Sequence, residues 1–180
     1  MSLDKMTIAN RYSKALFELV VEQDQLDETF EELVQLRQVF QTNTNLASVL
    51  AGAELALSEK QSLIQVLTDG ASTVVANLIK MVFDYGRMDD MVAIIDEFER
   101  RYDARKQRVH ANVVSAVKLD TTQKNQLVQT FAKRIGAKQV LLKEEVNPSI
   151  LGGVIMSTEN ETFDGSLSSK IEQIRRLLVK

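Results

Sequence analysis

A single change of hydrophobic period, near Gln107, constrains the fold of this chain more than any other feature. Before it, apolar residues recur every three or four positions, as on one face of a helix. After it they first alternate, as on a strand with one buried face. A chain that switches period in this way is expected to build two modules with separate cores. The expected division is 1–106 and 107–180, with the Arg100–Arg108 stretch as hinge.

The first part reads as six helices joined by tight breaks. Ile8, Tyr12, Ala15, Leu16, Leu19 and Val20 make a wide stripe on the first. After Asp24, Leu26, Phe30, Leu33, Leu36 or Arg37, and Phe40 mark the second, and Leu46, Val49 and Leu50 a short third ending near Gly52. Ser58-Glu-Lys-Gln61 reads as a capping box opening a fourth, with Leu63, Ile64 and Leu67, closed by Gly70. Ser72 is placed to cap a fifth, carrying Val75, Leu78, Ile79, Val82 and Phe83 before Gly86. Asp89 and Asp90 open the sixth, whose stripe is Met88, Met91, Val92, Ile95, Phe98 and Tyr102. So many one-sided helices bury their stripes economically only as a bundle.

The second part reads as strand, helix, three strands and a final helix. Val109, Ala111, Val113, Ser115 and Val117 alternate with their neighbours. Asp120-Thr-Thr-Gln123 is a cap signal for a helix through Leu127, Val128, Phe131 and Ile135, stopped by Gly136. Gln139 to Val146 reads as a strand ended by Asn147-Pro148. Gly152, Gly153 and Val154 open a hairpin that turns at Glu159-Asn160-Glu161 and returns through Phe163. Ser166 then caps a helix whose Leu167, Ile171, Ile174 and Leu178 lie on one face. The fold class expected is mainly α: a six-helix bundle followed by a small α+β domain.

Chemistry is sparse. With no cysteine and one histidine, His110, thiolate sites and most metal schemes are excluded, and neither a metal nor a cofactor is expected. His110 falls on the polar register of its strand and reads as a surface residue. The neighbouring carboxylates Glu31-Glu32, Asp89-Asp90 and Glu144-Glu145 do not converge on one substrate and read as solvated surface. Gly152-Gly153 lacks the surroundings of a phosphate loop. No catalytic residue is assigned, and a non-enzyme is expected.

No apolar run approaches the roughly 18 residues of a membrane span, and Met1-Ser-Leu-Asp-Lys5 lacks a signal-peptide core. Direct membrane insertion is therefore not expected. Net charge is −3, divided as −7 before Gln107 (11 Lys/Arg, 18 Asp/Glu) and +4 from it onward (11 and 7). Two modules facing different partners would carry such an asymmetry. The basic run Arg100, Arg101, Arg105, Lys106 and Arg108 leaves an RNA-binding helical module as the alternative reading, although its acidic domain disfavours nucleic acid.

Four segments resemble the delta subunit of bacterial ATP synthase, of the family of the mitochondrial oligomycin-sensitivity-conferring protein. They are Arg11-Tyr-Ser-Lys-Ala-Leu-Phe17, Asn77–Lys80 with Gly86-Arg87-Met88, Val113–Ala116 with Thr121–Leu127, and Ile150–Met156 through Phe163-Asp-Gly-Ser166 into the last helix. Asp84-Tyr85 and Ser168-Ser169-Lys170 depart from the family pattern. The resemblance implies a stator subunit at the cytoplasmic face of the cell membrane, held there peripherally by the ATP synthase complex. Its expected partners are the N-terminal helix of an alpha subunit, other head subunits, and the C-terminal region of the b subunit. Carried over by motif position, the groove for the alpha-subunit helix comprises Tyr12, Ala15, Leu16, Leu19, Leu78, Ile79, Met81 and Val82, while Gly152, Gly153 and Val154 form a structural turn.

Overall fold

The computed structural model describes residues 4–159 and 161–178. It divides into two compact units, 1–102 and 103–180, a few residues before the break in hydrophobic period. Asn160, at the centre of the expected polar turn, lies outside the described residues.

In the first unit the expected helices are α1 (Lys5–Glu22), α2 (Leu26–Thr42), α3 (Leu46–Ala51), α4 (Leu57–Thr68), α5 (Thr73–Asp84) and α6 (Met91–Lys106). Their core holds Val20, Leu33, Val75, Ile79, Val82, Met88, Met91, Ile94, Ile95 and Phe98, all essentially inaccessible to solvent. Phe98 packs edge-on against Phe17, ring centres 5.6 Å apart, and Phe30 stacks on Tyr102 at 4.0 Å. Both Leu36 and Arg37 serve the fold. Leu36 is buried, and the Arg37 guanidinium donates to Asp96 Oδ1 at 3.1 Å and to the Glu99 carboxylate on α6.

Local chemistry corrects three expectations here. The start of α4 is not capped by Ser58: the cap is Ala56, whose N–H donates to Glu59 at 2.9 Å, half of a capping box. Asp89 and Asp90 belong to a 3₁₀ turn, Met88–Asp90, that precedes α6. Within α6, Ile94 is a full member of the core and Val92 only half-buried, because the buried face runs through Met91, Ile94, Ile95 and Phe98.

The second unit is a four-stranded sheet, β1 (Arg108–Ser115), β2 (Gln139–Val146), β3 (Val154–Ser157) and β4 (Thr162–Asp164), in spatial order β2-β1-β3-β4. β1 and β2 are parallel, as their connection through α7 (Thr121–Ile135) permits, and the remaining pairs are antiparallel. The alternation of β1 is realised in Ala111, Val113 and Ser115, all buried, but stops there: Val117 lies beyond the strand and is exposed. Ala111, Val113, Phe131, Val140 and Met156 form a small core, edged by Phe163 against Phe131 at 5.5 Å, with Arg134 over the Phe163 ring. The capping box at the start of α7 is complete, Asp120 accepting from Gln123 N–H at 2.8 Å and Gln123 accepting from Asp120 N–H at 3.0 Å.

The Gly152–Gly153 turn seats the last helix, α8 (Leu167–Leu178). Gly152 O accepts from Leu167 N–H and Val154 O accepts from Gly165 N–H, each at 2.9 Å. A Cβ on Gly153 would collide with the Gly165 carbonyl and Ser166, and Gly153 has φ +76°. Side chains are thus refused there twice, by space and by backbone conformation. Gly153→Ala should cost about 1–3 kcal/mol from the backbone alone, and more from the collision. Gly136→Ala, at φ +70° with open space around its Cβ position, should cost only the backbone part. Thermal unfolding of the two variants measures the difference.

Asp164 and Ser166 cap α8 together. Ser166 Oγ accepts from Ser169 N–H at 3.2 Å, Asp164 Oδ1 accepts from Ser166 N–H at 2.9 Å, and the Ser169 hydroxyl donates to Asp164 Oδ2. These donors, the Ser169 hydroxyl foremost, hold the Asp164 carboxyl below its ordinary pKa. A carboxyl depressed in the folded state stabilises it above the unfolded pKa of about 3.9, and that stability is lost as pH falls through the folded value. Amide protection of α8 is therefore expected to decline as pH is lowered from 5 to 2, with the dependence reduced in Asp164→Asn.

Candidate functional site

The first helix and the fifth each carry more apolar surface than the core uses. On α1, Ile8, Ala9, Leu16 and Val20 turn inward; on α5, Val75, Leu78, Ile79 and Val82 do. What remains, Tyr12, Ala15 and Leu19 on one helix and Val74 and Met81 on the other, borders a cleft of about 630 Å³ whose floor includes Leu16 and Leu78. Leu19 and Met81 are 42% and 46% exposed, so apolar surface faces solvent on both walls. Gln23, Gln25, Ser72, Thr73 and Asn77 add polar lining that the stripe pattern did not flag, because periodicity marks only apolar positions.

Of the residues assigned to a groove, Tyr12, Ala15, Leu16, Leu19, Leu78 and Met81 meet in this cleft. Ile79 and Val82 do not. Both have no exposed surface and belong to the core, one helical step round from the wall. Leu78 is only 5% exposed, so a charge placed there would strike the core as well as the groove. Gly152 and Gly153 stand at the turn before β3, and Val154 is the first residue of that strand.

Around the basic run, several polar side chains are engaged within the fold. Glu97, 8% exposed, accepts two bonds from Arg100 at 2.8 and 2.7 Å and lies 3.3 Å from Arg101. The Arg100 bonds hold its carboxyl below the ordinary range against the opposing effect of burial. Arg101 also donates to Asn10 and Ser13 on α1. In the second unit Arg108 and His110 converge on Asp103 at 3.1 and 2.8 Å. His110 is exposed as expected, yet tied to a carboxylate.

Glu31, Asp89, Glu144 and Glu145 are exposed as expected, but one member of each pair is engaged by the fold. Glu32 accepts the Ser72 backbone N–H at 2.9 Å, Asp90 is 8% exposed, and Glu144 lies 2.7 Å from Lys124. Each such contact joins residues far apart in sequence or buries a charge by packing, neither of which adjacency reveals.

A family model described as ATP synthase delta (OSCP) subunit matches residues 8–178. The chain belongs to that family. The delta subunit of Limosilactobacillus reuteri is 61% identical over 180 residues and the whole of both chains. That of Lactiplantibacillus plantarum is 51% identical over 99% of each, and that of Enterococcus faecalis 35% identical over the full length of both. A chain of the Toxoplasma gondii mitochondrial ATP synthase hexamer shares the fold, with a TM-score of 0.69 at 15% identity over 96% of this chain and 97% of that one. As a delta-family member the protein is a non-catalytic stator subunit of the ATP synthase. Among the described residues no helix is long and apolar enough to cross a membrane.

The exposed walls of the cleft supply the mutational test that Leu78 cannot. Leu19→Asp and Met81→Asp should leave the bundle folded and weaken binding of an apolar helix by roughly tenfold to a hundredfold each, the equivalent of losing one buried side chain. Calorimetry with a synthetic amphipathic helix, alongside thermal unfolding, measures both effects.

Proposed function

We propose that the α1–α5 cleft receives the amphipathic N-terminal helix of an alpha subunit, and that the second unit meets the C-terminal region of the b subunit, so that the chain ties the catalytic head to the peripheral stalk. The observation that carries the reading is the apolar cleft between α1 and α5, open to solvent on a delta-family chain. A helix burying about four large apolar anchors gains roughly 6–12 kcal/mol, and association costs of roughly 4–15 kcal/mol offset much of it. Useful affinity therefore requires walls already in place. The core residues of α1 and α5 provide that rigidity, because each wall residue shares its helix with buried neighbours.

At the other end, α8 offers a second apolar surface. Leu167, Ile171, Ile174 and Leu178 are all about half or more exposed, and none of the helix's own residues is buried. Its charge is mixed toward basic, with Lys170, Arg175 and Arg176 against Glu172. A stripe of this kind suits one face of a helical stalk end. Other head subunits would contact the remaining surface of the bundle, and the assembled complex would hold the chain at the cytoplasmic face of the membrane.

A stator transmits torque only if it is held at both ends. Residues 1–106, which retain all of α6, should remain helical, unfold cooperatively and bind the alpha-subunit peptide. They should nevertheless fail to restore proton-driven ATP synthesis to membranes depleted of the subunit, whereas the full chain should restore it. Full recovery with residues 1–106 would refute this division of labour.

A further inference from the structure

We propose that Asn77 sets the register of the helix that lies in the α1–α5 cleft, by requiring one polar side chain within that helix's apolar stripe. The inference rests on the docking reading above.

Asn77 stands three residues after Val74 and four before Met81, in the middle of the α5 wall. Most of the other polar lining belongs to one end of the cleft. Gln23 and Gln25 follow the last turns of α1, and Ser72 and Thr73 open α5. The two helices run in opposite senses there: Lys5, at the start of α1, reaches the Asp89 carbonyl just beyond α5 at 3.0 Å. Ser72 is already committed, its N–H to Glu32 and its Oγ to Val75 N–H. Asn77 differs in place and in state. It is exposed, it sits among apolar neighbours, and its amide makes no hydrogen bond among the described residues.

Water satisfies that amide while the cleft is open. A docked helix displaces the water, and an amide left unpaired beneath it costs roughly tenfold to a hundredfold in affinity. Apolar contacts alone define register weakly, since an amphipathic helix shifted by one turn, about 5.4 Å, presents a similar stripe. A single polar point in an apolar seam removes that ambiguity, because only one register brings a matching donor or acceptor to it. The occupant is therefore an amphipathic helix bearing an Asn, Gln, Ser or Thr side chain midway along its apolar face.

The test compares two probes on the full-length chain: the alpha-subunit N-terminal peptide, and a designed Leu/Ala helix of equal length with no polar residue in its stripe. Asn77→Leu should raise affinity for the designed helix at least tenfold without a matching gain for the natural peptide. An equal change for both, or none, overturns the proposal. Register is read directly, because the chain has no cysteine of its own. Gln23→Cys, cross-linked to a series of single-cysteine natural peptides, should give one dominant position with Asn77 present and positions a turn apart with Asn77→Leu. A cross-linking pattern unchanged by Asn77→Leu also overturns it. Met81→Asp separates this from failure of the underlying reading: if both probes bind that variant with undiminished affinity, the cleft is not the docking site and both ideas fall. If Met81→Asp weakens both probes tenfold or more while Asn77→Leu leaves discrimination intact, the register proposal alone is wrong.

Discussion

Helix α6 is the member on which the first unit depends. Its Met91, Ile94, Ile95 and Phe98 are fully buried, and its polar edge ties down the helices around it. Arg101 reaches Asn10 and Ser13 on α1, Asp96 and Glu99 hold Arg37 of α2, and Tyr102 donates to Asp27 of α2 at 2.9 Å while stacking on Phe30. Apolar burial supplies the driving force, but it is indifferent to rotation of one helix against another. The directional bonds fix those rotations. With α1 fixed in this way, its outward residues are available to form a wall.

The two units meet the problem of stability differently. The bundle has a broad core to which most of its helices contribute. The second unit buries few large side chains, Phe131, Val140 and Met156 among them, and leans on local geometry instead. Its capping box at Asp120, its left-handed Gly136 and its close packing at Gly153 restrict the backbone where a small core cannot. Substitutions tolerated by volume in the bundle would meet conformational limits here.

Much of the architecture was legible because periodicity reports burial. The helices, the strand at Gln139–Val146 and the cap at Ser166 could be read from spacing and cap chemistry. Spacing failed where three-dimensional partners decide. It could not tell Ile79 and Val82 from Leu78 and Met81, because wall and core lie within one helical turn on α5. It missed Ile94, although Met91, Ile94 and Phe98 share a face, and misplaced the cap of α4, where a reaching Glu59 replaces a serine. The polar lining at Gln23, Thr73 and Asn77 carried no periodic signal at all.

The stripe of α8 carries a consequence for the life of the chain before assembly. Leu177 and Leu178 are more than three-quarters exposed and Ile171 and Ile174 more than half, on a helix held mainly by its first turn. Apolar surface of that extent attracts other exposed apolar chains. Left uncovered, that stripe makes the newly made subunit an aggregation risk, and on the docking reading proposed above its survival in the cell is coupled to the supply of the partner that covers it. Balanced production of the assembly's components then becomes a requirement written into one helix face.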